Sequence, residues 1–373
     1  MNVLTATGGK RRVHARWSAD PTTVARRREE SARRRFRASP AKRLVMWKEL
    51  SSLLDRFDLT AALEIIHRGH SEDGTRPNDL IASVAEYWIP RLRAPQPFAD
   101  IVRNAVSEHE RLMIAVGQDK TNQAQILARM HHAEKLMYDV KARWRATFRE
   151  PVGLIVMAWG MLVGYAYMVL WQYGQYPTRP RGYALMANNY ADWLFHWGSW
   201  MVPAAVVAIA LVVARLLKYW LSPSRTAAER YWPFSLYKAS AAANFLHALT
   251  ILQTAGEDLP ASLRAMAKTA GPYLRWQIAA IEPIVRSKSI GDAVRATKRW
   301  FPDAHVNAQL DVYSRDDPRN FATHLERIAD DFTADLIERM ESARKATTLM
   351  AISVAALLQV VITAFMLAMS LPT

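Results

Sequence analysis

The residues best suited to chemistry are a histidine pair followed closely by a glutamate. His131 and His132 precede Glu134 in a segment whose apolar residues recur at helical spacing. Neighbouring side chains on a helix point roughly 100° apart, so the two histidines cannot easily hold one metal ion together. His131 and Glu134 can share a helix face, but a solvated helix surface is the favoured interpretation. The pattern therefore predicts no metal site here.

Two aspartate pairs are the remaining candidates for cation binding. Asp316–Asp317 and Asp330–Asp331 could attract a divalent ion, but helix caps and charged helix surfaces favour the same residues. The sequence has no GxxxxGK[ST] motif, which excludes a P-loop nucleotide site, and no cysteine, which excludes thiol chemistry and disulfides. We therefore predict no catalytic residue, no cofactor and no metal, and a protein that is not an enzyme.

Three apolar segments are the strongest structural signal in the chain. Each is about long enough to cross a hydrocarbon layer of roughly 30 Å as a helix. They predict three transmembrane helices, over residues 151–171, 200–218 and 347–370. Gly160 and Gly164 in the first segment predict a close helix contact, within the chain or in a dimer, although glycine is also common in membrane helices. Gln359 in the third predicts a hydrogen bond to a neighbouring helix.

The distribution of basic residues orients these segments. Lysine and arginine precede the first and third segments and follow the second, at Lys141, Arg143, Arg145, Arg149, Lys218, Arg225, Arg230, Arg339, Arg344 and Lys345. Positive charge marks the cytoplasmic side, so residues 1–150 and 219–346 are predicted to be cytoplasmic and the loop 172–199 periplasmic. We expect an inner-membrane protein with its N-terminus in the cytoplasm and its C-terminus in the periplasm.

Residues 1–45 form a strongly basic arm in a chain whose net charge is +15. The arm is predicted to be flexible and cytoplasmic, where anionic membrane lipids or a protein partner would attract it. Nucleic-acid binding is the less favoured alternative, because Trp17 and Phe36 are the only aromatic residues available to stack on bases.

The two cytoplasmic regions, residues 46–150 and 219–346, align with each other at offsets between about 192 and 200 residues. Three blocks match in the same order, and they pair Leu59 and Leu63 with Leu259 and Leu263, Asp100 and Arg103 with Asp292 and Arg295, and Leu127 and Arg129 with Leu325 and Arg327. Each copy is predicted to be a helical bundle whose last helix continues into a membrane segment. The predicted fold is an all-α membrane protein with two homologous cytoplasmic helical-bundle domains and three transmembrane helices.

This order of elements resembles the GspF/PilC platform proteins of type II secretion and type IV pilus systems, over about residues 45–373. The family's leucine-rich opening resembles Leu249 to Leu263 with Gly256, and more weakly Leu50 to Leu63, where Arg56 replaces the glycine. A second block resembles Ile290-Gly291-Asp292. The family's Gly-Glu signatures are degenerate here, which suggests a divergent branch such as type IVb or conjugative thin pili.

The resemblance implies a non-enzymatic platform that couples a cytoplasmic hexameric assembly ATPase to pilin or pseudopilin polymerisation. Other inner-membrane assembly proteins and further copies of the chain are implied partners. The positions that match the family's Gly-Glu loop are the expected protein contacts: Gly117, Gln118, Asp119, Arg315, Asp316 and Asp317. The alternative function is a membrane-tethered nucleic-acid-binding or signalling adaptor that acts through the basic arm.

Overall fold

The computed structural model describes residues 21–76, 78–94, 96–118, 123–174, 183–299, 301–317 and 320–370. All regular secondary structure in these ranges is helical, as the sequence predicts. The chain divides into two compact units, Met1–Ser107 and Glu108–Thr373. Residues 108–150, which sequence similarity groups with the first bundle, therefore belong to the second unit.

The first unit contains five helices in its described part. They are α1 (Pro21–Ala38), α2 (Pro40–Leu53), α3 (Leu59–Ser71), α4 (Leu80–Leu92) and α5 (Phe98–Ile101). Asp58 and Asp79 define the starts of α3 and α4. The Asp58 carboxylate accepts a hydrogen bond from the backbone N–H of Ala61, and that of Asp79 accepts from Ile81 and Ala82.

Aromatic rings form the core of the first unit. Trp88 of α4 stacks on Trp47 of α2, with ring centroids 6.3 Å apart. Phe36 of α1 and Phe98 of α5 meet the Trp88 ring edge to face at 5.8 and 5.7 Å. The segment 1–45, predicted as a flexible arm, is thus helical from Pro21 to Ala38 and anchored by the fully buried Phe36. Residues 1–20 lie outside the described residues.

The second unit contains the remaining helices. In chain order they are α6 (Glu108–Gln118), α7 (Gln123–Gly174), α8 (Tyr183–Trp193), a π-helical turn (Leu194–Gly198), α9 (Ser199–Tyr219), α10 (Arg225–Ala228), α11 (Phe234–Thr254), α12 (Leu259–Thr269), α13 (Pro272–Val285), α14 (Ile290–Ala296), α15 (Ala304–Asp316) and α16 (Phe321–Ser370). Helix α11 lies at the centre and packs against α7, α12, α13 and α16. Its buried Phe245 meets the ring of Phe301 at 5.5 Å, and Phe301 meets Tyr273 at 6.2 Å.

Two very long helices carry the chain out of this bundle. Helix α7 runs for 52 residues and passes through Pro151 without a break, and α16 runs for 50 residues. Each of these helices continues directly from the bundle into an apolar segment, which confirms the prediction of continuous helices.

Two helical stretches of the described chain are long and apolar enough to cross a membrane, Gln123–Trp171 and Asn188–Tyr219. The second includes residues 188–199, part of the segment predicted as a periplasmic loop, which are helical and continuous with α9. The third predicted segment, 347–370, forms the end of α16, and most of its side chains from residue 361 onward lie outside the described part. Leu162, Ala166 and Val169 of α7 pack with Ala191 of α8 and Leu194 of the π-helical turn, which holds α7 against the helical stretch that leads into α9.

Candidate functional site

The candidate site is the pair of helices formed by residues 123–150 of α7 and 321–346 of α16, called here the paired helices. Ion pairs between oppositely charged side chains join them along their length: Arg129 with Glu326 at 3.2 Å, His132 with Asp330 at 3.1 Å, Arg143 with Glu341 at 2.6 Å, and Glu150 with Arg344 at 2.6 Å. All eight side chains are partly exposed, so each pair contributes little to stability alone. Together they define how the two helices are aligned.

The alignment is parallel and in register. Residues paired across the two helices are separated in sequence by 198 at two of these contacts and by 194 at the contact nearest the apolar segments. A nearly constant separation requires two helices that run in the same direction. Both therefore leave the bundle at the same end, where their apolar segments begin.

An apolar seam accompanies the ion pairs. Buried side chains recur at three- and four-residue spacing on both helices, which places them on one face of each. On α7 they are Leu127, Met130, Ala133, Met137 and Val140, and on α16 they are Leu325, Ile328, Ala329, Phe332, Leu336 and Met340. Burial of this seam, rather than the exposed charges, supplies most of the packing energy.

The register can be tested by crosslinking, since the chain has no cysteine to interfere. In a His132→Cys/Asp330→Cys variant we expect a short bifunctional thiol reagent to join the two helices within one chain, because these side chains are in contact. The control is His132→Cys/Glu338→Cys, in which the second position is displaced by about 12 Å along the helix. Mass spectrometry of proteolytic peptides identifies the link. Equal yields from the two variants would contradict the register.

A buried polar contact joins the third helix of this core, α11, to α16. The imidazole Nε2 of His247 lies 2.9 Å from the Thr333 hydroxyl, which itself donates to the Ala329 carbonyl oxygen at 2.7 Å. Because the single hydroxyl hydrogen of Thr333 is used in that bond, His247 must donate from Nε2. Burial lowers the pKa of His247 to about 4, with Asp330 opposing this shift and His132 adding to it.

His247 makes the second unit sensitive to acid. Its usual pKa is near 6.5, so between pH 6.5 and 4 the unfolded chain binds a proton that the folded chain does not, and stability falls as the pH falls. We expect the free energy of unfolding to fall by up to about 3 kcal/mol between pH 6.5 and 4. Thermal unfolding measured at several pH values should show a smaller loss of stability for His247→Gln than for wild type. His305→Gln, at an exposed position, is the matched control.

The predicted contact residues at the end of α15 are largely engaged within the bundle. Arg315 pairs with Asp292 of α14 and with Asp311, where Nε and Oδ1 are 3.0 Å apart. Asp317 accepts hydrogen bonds from Asn320 at 3.0 Å and from His324 at 3.1 Å, and these bonds lower its pKa. Asp316 is exposed. Arg315 thus joins α14 to α15, and it remains exposed, as Asp316 does.

The other predicted contacts lie at the end of a different helix. Gly117 and Gln118 are the last residues of α6, and Asp119 lies outside the described residues. Helix α6 packs on α7, α11 and α12, whereas α15 packs on α14 and α16. The two predicted contact groups are therefore carried by helices with different neighbours.

The residues predicted to mediate membrane-helix packing face open space within the chain. A methyl group added at Gly160 or Gly164 would meet no heavy atom of the described residues within 4 Å, and the Gln359 side chain is exposed. A close contact of the Gly160–Gly164 face within the chain is thus not observed, and its contact with a second copy stays a prediction.

Among the described residues, the most deeply buried charged side chain was not identified from the sequence. Arg225 was counted among the basic residues that flank a membrane segment, but its side chain is completely buried. Its guanidinium donates to the carbonyl oxygens of Leu217 and Trp220 at 2.9 and 2.8 Å, at the C-terminal end of α9. These are among the carbonyl groups that a helix end leaves without partners, so Arg225 caps α9.

The same guanidinium is tied into the bundle. Its Nε lies 3.4 Å from Oε1 of Glu229, and its carbon lies 4.0 Å from the centre of the Tyr273 ring on α13. The Tyr273 hydroxyl donates to Glu229 at 2.8 Å, and burial beside this carboxylate raises the pKa of Tyr273. Arg225 therefore connects the end of an apolar helix to the bundle core. The sequence feature that could have indicated the burial of Arg225 is the set of aromatic residues near it, Trp220, Phe234 and Tyr237.

Within the part of the chain that the structure describes, no group of three or more acidic or histidine side chains is placed to hold a metal ion. His132, one of the histidines considered above, is paired with Asp330 instead. The arrangement of the site is that of a helix assembly held by apolar packing and ion pairs.

Comparison with known proteins assigns no family. No protein-family model matches this chain, and no curated protein matches it significantly.

Proposed function

We propose that this chain is a platform protein of a bacterial inner-membrane machine that assembles a type IV pilus or a type II secretion filament. One observation carries the proposal: two long helices lie parallel and in register, and each runs unbroken from a packed bundle into an apolar segment. An arrangement of this kind can pass a movement of the bundle to the membrane, because a continuous helix transmits displacement along its length.

Internal duplication of the cytoplasmic module is part of this proposal. The separation of 198 residues between facing side chains equals the offset at which Leu127 aligns with Leu325 in sequence. Suppose that the same helix of two copies packs about a two-fold axis that is parallel to the helices. Equivalent residues then lie opposite each other, as His132 and Asp330 do. The agreement supports an origin of the paired helices as the same helix of two copies.

The proposed topology has three transmembrane helices, with the N-terminus in the cytoplasm and the C-terminus in the periplasm. Two observations support it. Lysine and arginine are in excess at the ends of the apolar segments that adjoin the bundle, and two helices are apolar enough to span a membrane. In this topology the end of α9 that Arg225 caps lies at the cytoplasmic face of the membrane. Three apolar helices would then be joined to the bundle, two by continuity and one through Arg225.

In the proposed mechanism a hexameric ATPase contacts the bundle and its motion reaches pilin subunits in the membrane. Helix α7 has 52 residues and is therefore about 78 Å long, which exceeds the thickness of a bilayer and leaves a long lever below it. Gly117, Gln118, Asp119, Arg315, Asp316 and Asp317 are the proposed contact positions. Arg315 and Asp317 also pair within the bundle. Other inner-membrane assembly proteins and further copies of this chain complete the proposed assembly.

Co-purification with the cognate assembly ATPase tests the proposal. The full chain in detergent should be used, because a fragment that ends at residue 150 would divide the second unit. We expect the ATPase to be retained at low salt, and retention to fall for Asp316→Lys but not for Asp335→Lys, a matched change at an exposed carboxylate of α16. A folded chain that retains no ATPase would contradict the platform function.

The adaptor hypothesis makes a different prediction. An adaptor acting through the basic arm should lose its function when residues 1–20 are removed, whereas a platform should retain filament assembly. The deletion stops before α1, because Phe36 belongs to the core of the first unit and its loss would unfold that unit.

A further inference from the structure

A cleft lined mainly by arginine lies in the first unit. Its volume is about 560 Å³. The lining side chains include Arg26, Arg33, Arg34, Arg37, Arg91 and Glu29. The four arginines of α1 fall at helical spacing on one face of that helix, Arg91 comes from α4, and Asn104 closes the cleft from the segment after α5.

The charges in the cleft do not balance. Five arginines face two glutamates, Glu29 and Glu30, which leaves a net charge of +3. Glu29 is already shared, since Arg33 and Arg91 both pair with it, the latter at 2.5 Å, and Arg26 reaches Glu30 at 3.6 Å. Arg34 and Arg37 are exposed and line the same cleft. Like charges held together repel each other, and a bound anion would relieve this repulsion.

One arginine in the wall of the cleft, Arg33, also has a buried N–H donor that makes no hydrogen bond among the described residues. This donor is the Nε of its guanidinium group. A buried N–H without an acceptor is costly, so an acceptor supplied by a ligand would stabilise it. The Arg33 side chain is held in place by Glu29, which presents this N–H in a fixed position.

We propose that the cleft binds a ligand that carries phosphate groups. Guanidinium groups match the geometry of phosphate oxygens and donate two parallel hydrogen bonds to them, and they do this better than ammonium groups. The volume lies within the range of small-molecule sites and exceeds that of a single phosphate, so the site suits a compound with two or more phosphates or a phosphorylated headgroup. Its charged lining disfavours an apolar ligand.

The helix α1 gives this site its shape. A solvated basic tail would hold no fixed arrangement of arginines, but Phe36 anchors α1 beneath Trp88 and thereby fixes the arginine face beside Arg91. Packing of the apolar side of α1 and ligand binding on its basic side are therefore separate properties of one helix.

Titration calorimetry of the full chain in a neutral detergent, with inorganic pyrophosphate as the probe, tests the proposal. We expect saturable binding to one site at physiological ionic strength. An Arg34→Gln/Arg37→Gln variant should bind about tenfold more weakly, because it removes two charge-assisted donors. The control, Arg56→Gln/Arg68→Gln, removes the same charge from exposed positions of the same unit outside the cleft and should change the affinity by less than about twofold.

A second arm identifies the source of the phosphate. The full chain is placed in phosphatidylcholine nanodiscs with and without phosphatidic acid, and hydrogen exchange of α1 is measured. Protection by pyrophosphate supports a soluble phosphate compound, and protection by phosphatidic acid alone supports a lipid headgroup. The proposal is overturned if neither probe binds saturably, or if the control variant weakens binding as much as the cleft variant does. Unchanged helical content of both variants confirms that they fold.

Discussion

Replacement of Arg225 by methionine is expected to destabilise the second unit by about 3–5 kcal/mol, the cost of removing one partner from a buried ion pair. Methionine fills a similar volume, but it leaves the buried carboxylate of Glu229 without the guanidinium. The carbonyl oxygens of Leu217 and Trp220 lose their donors as well. Lys238, at 3.3 Å from Glu229, compensates only in part.

Thermal unfolding of the full chain in detergent measures this effect. Arg230→Met is the matched control, since Arg230 lies five residues away and is exposed, and we expect its melting temperature to remain close to that of wild type. Arg225→Met/Glu229→Gln should recover part of the loss, because it removes the isolated charge. Equal melting temperatures for Arg225→Met and Arg230→Met would show that the buried pair does not hold the bundle together.

The Arg225 variant also bears on the proposed function. Arg225 connects the end of α9 to Tyr273 of α13, so its loss should uncouple this apolar helix from the bundle. If α9 must move with the bundle during assembly, Arg225→Lys should impair filament formation more than it impairs folding. Lysine keeps the charge but cannot donate to two carbonyl groups and stack on a ring with the same geometry. Full filament assembly by a folded Arg225→Lys variant would contradict this coupling.

Gly291→Ala is expected to destabilise the second unit by about 2–3 kcal/mol. A Cβ atom at this position would lie 2.6 Å from the Cα and 2.7 Å from the backbone nitrogen of Asp311. These are backbone atoms of α15, so a side-chain rotation cannot remove the clash and α14 must move away. That movement would weaken the 2.7 Å hydrogen bond from Ser289 to Asp311 and the contacts of Asp311 with Arg295 and Arg315.

The Gly271→Ala variant provides the comparison. A Cβ atom at Gly271 would meet no heavy atom of the described residues within 4 Å, and its φ of −63° suits any residue. We expect Gly271→Ala to lower the free energy of unfolding by less than about 1 kcal/mol, which is the range for a weaker residue at a helix N-cap. Denaturant unfolding monitored by circular dichroism compares the two. A Gly291→Ala variant as stable as Gly271→Ala would mean that α14 and α15 do not approach as closely as the structure indicates.

Several features of the fold could be predicted because they depend on residues near one another in sequence. Apolar runs and helical spacing indicated an all-helical chain and two of the apolar helices. The apolar segment that follows the last helical block of each copy indicated continuous long helices. The helix starts at Asp58 and Asp79 are local in the same sense, since each capping carboxylate accepts from backbone N–H groups only two or three positions further along the chain.

Other features were inaccessible because a residue's charge does not reveal what surrounds it. The arginines of residues 1–45 suggested a solvated arm, whereas one phenylalanine, Phe36, fixes residues 21–38 to the core. The sequence also did not indicate that Arg315 pairs with Asp292 and Asp311 within the bundle. The boundary at Ser107 likewise reflects which helices pack together rather than which sequences are similar.

The sequence by itself thus determined the composition of the helices, the apolar segments and the excess of positive charge beside them, all of which are local properties. Only the tertiary structure decided which charges are buried and which helices face each other. Glu229 meets Tyr273 across 44 residues, His247 meets Thr333 across 86, and His132 meets Asp330 across 198. Contacts at such separations arise from packing of the whole unit, and no short pattern encodes them.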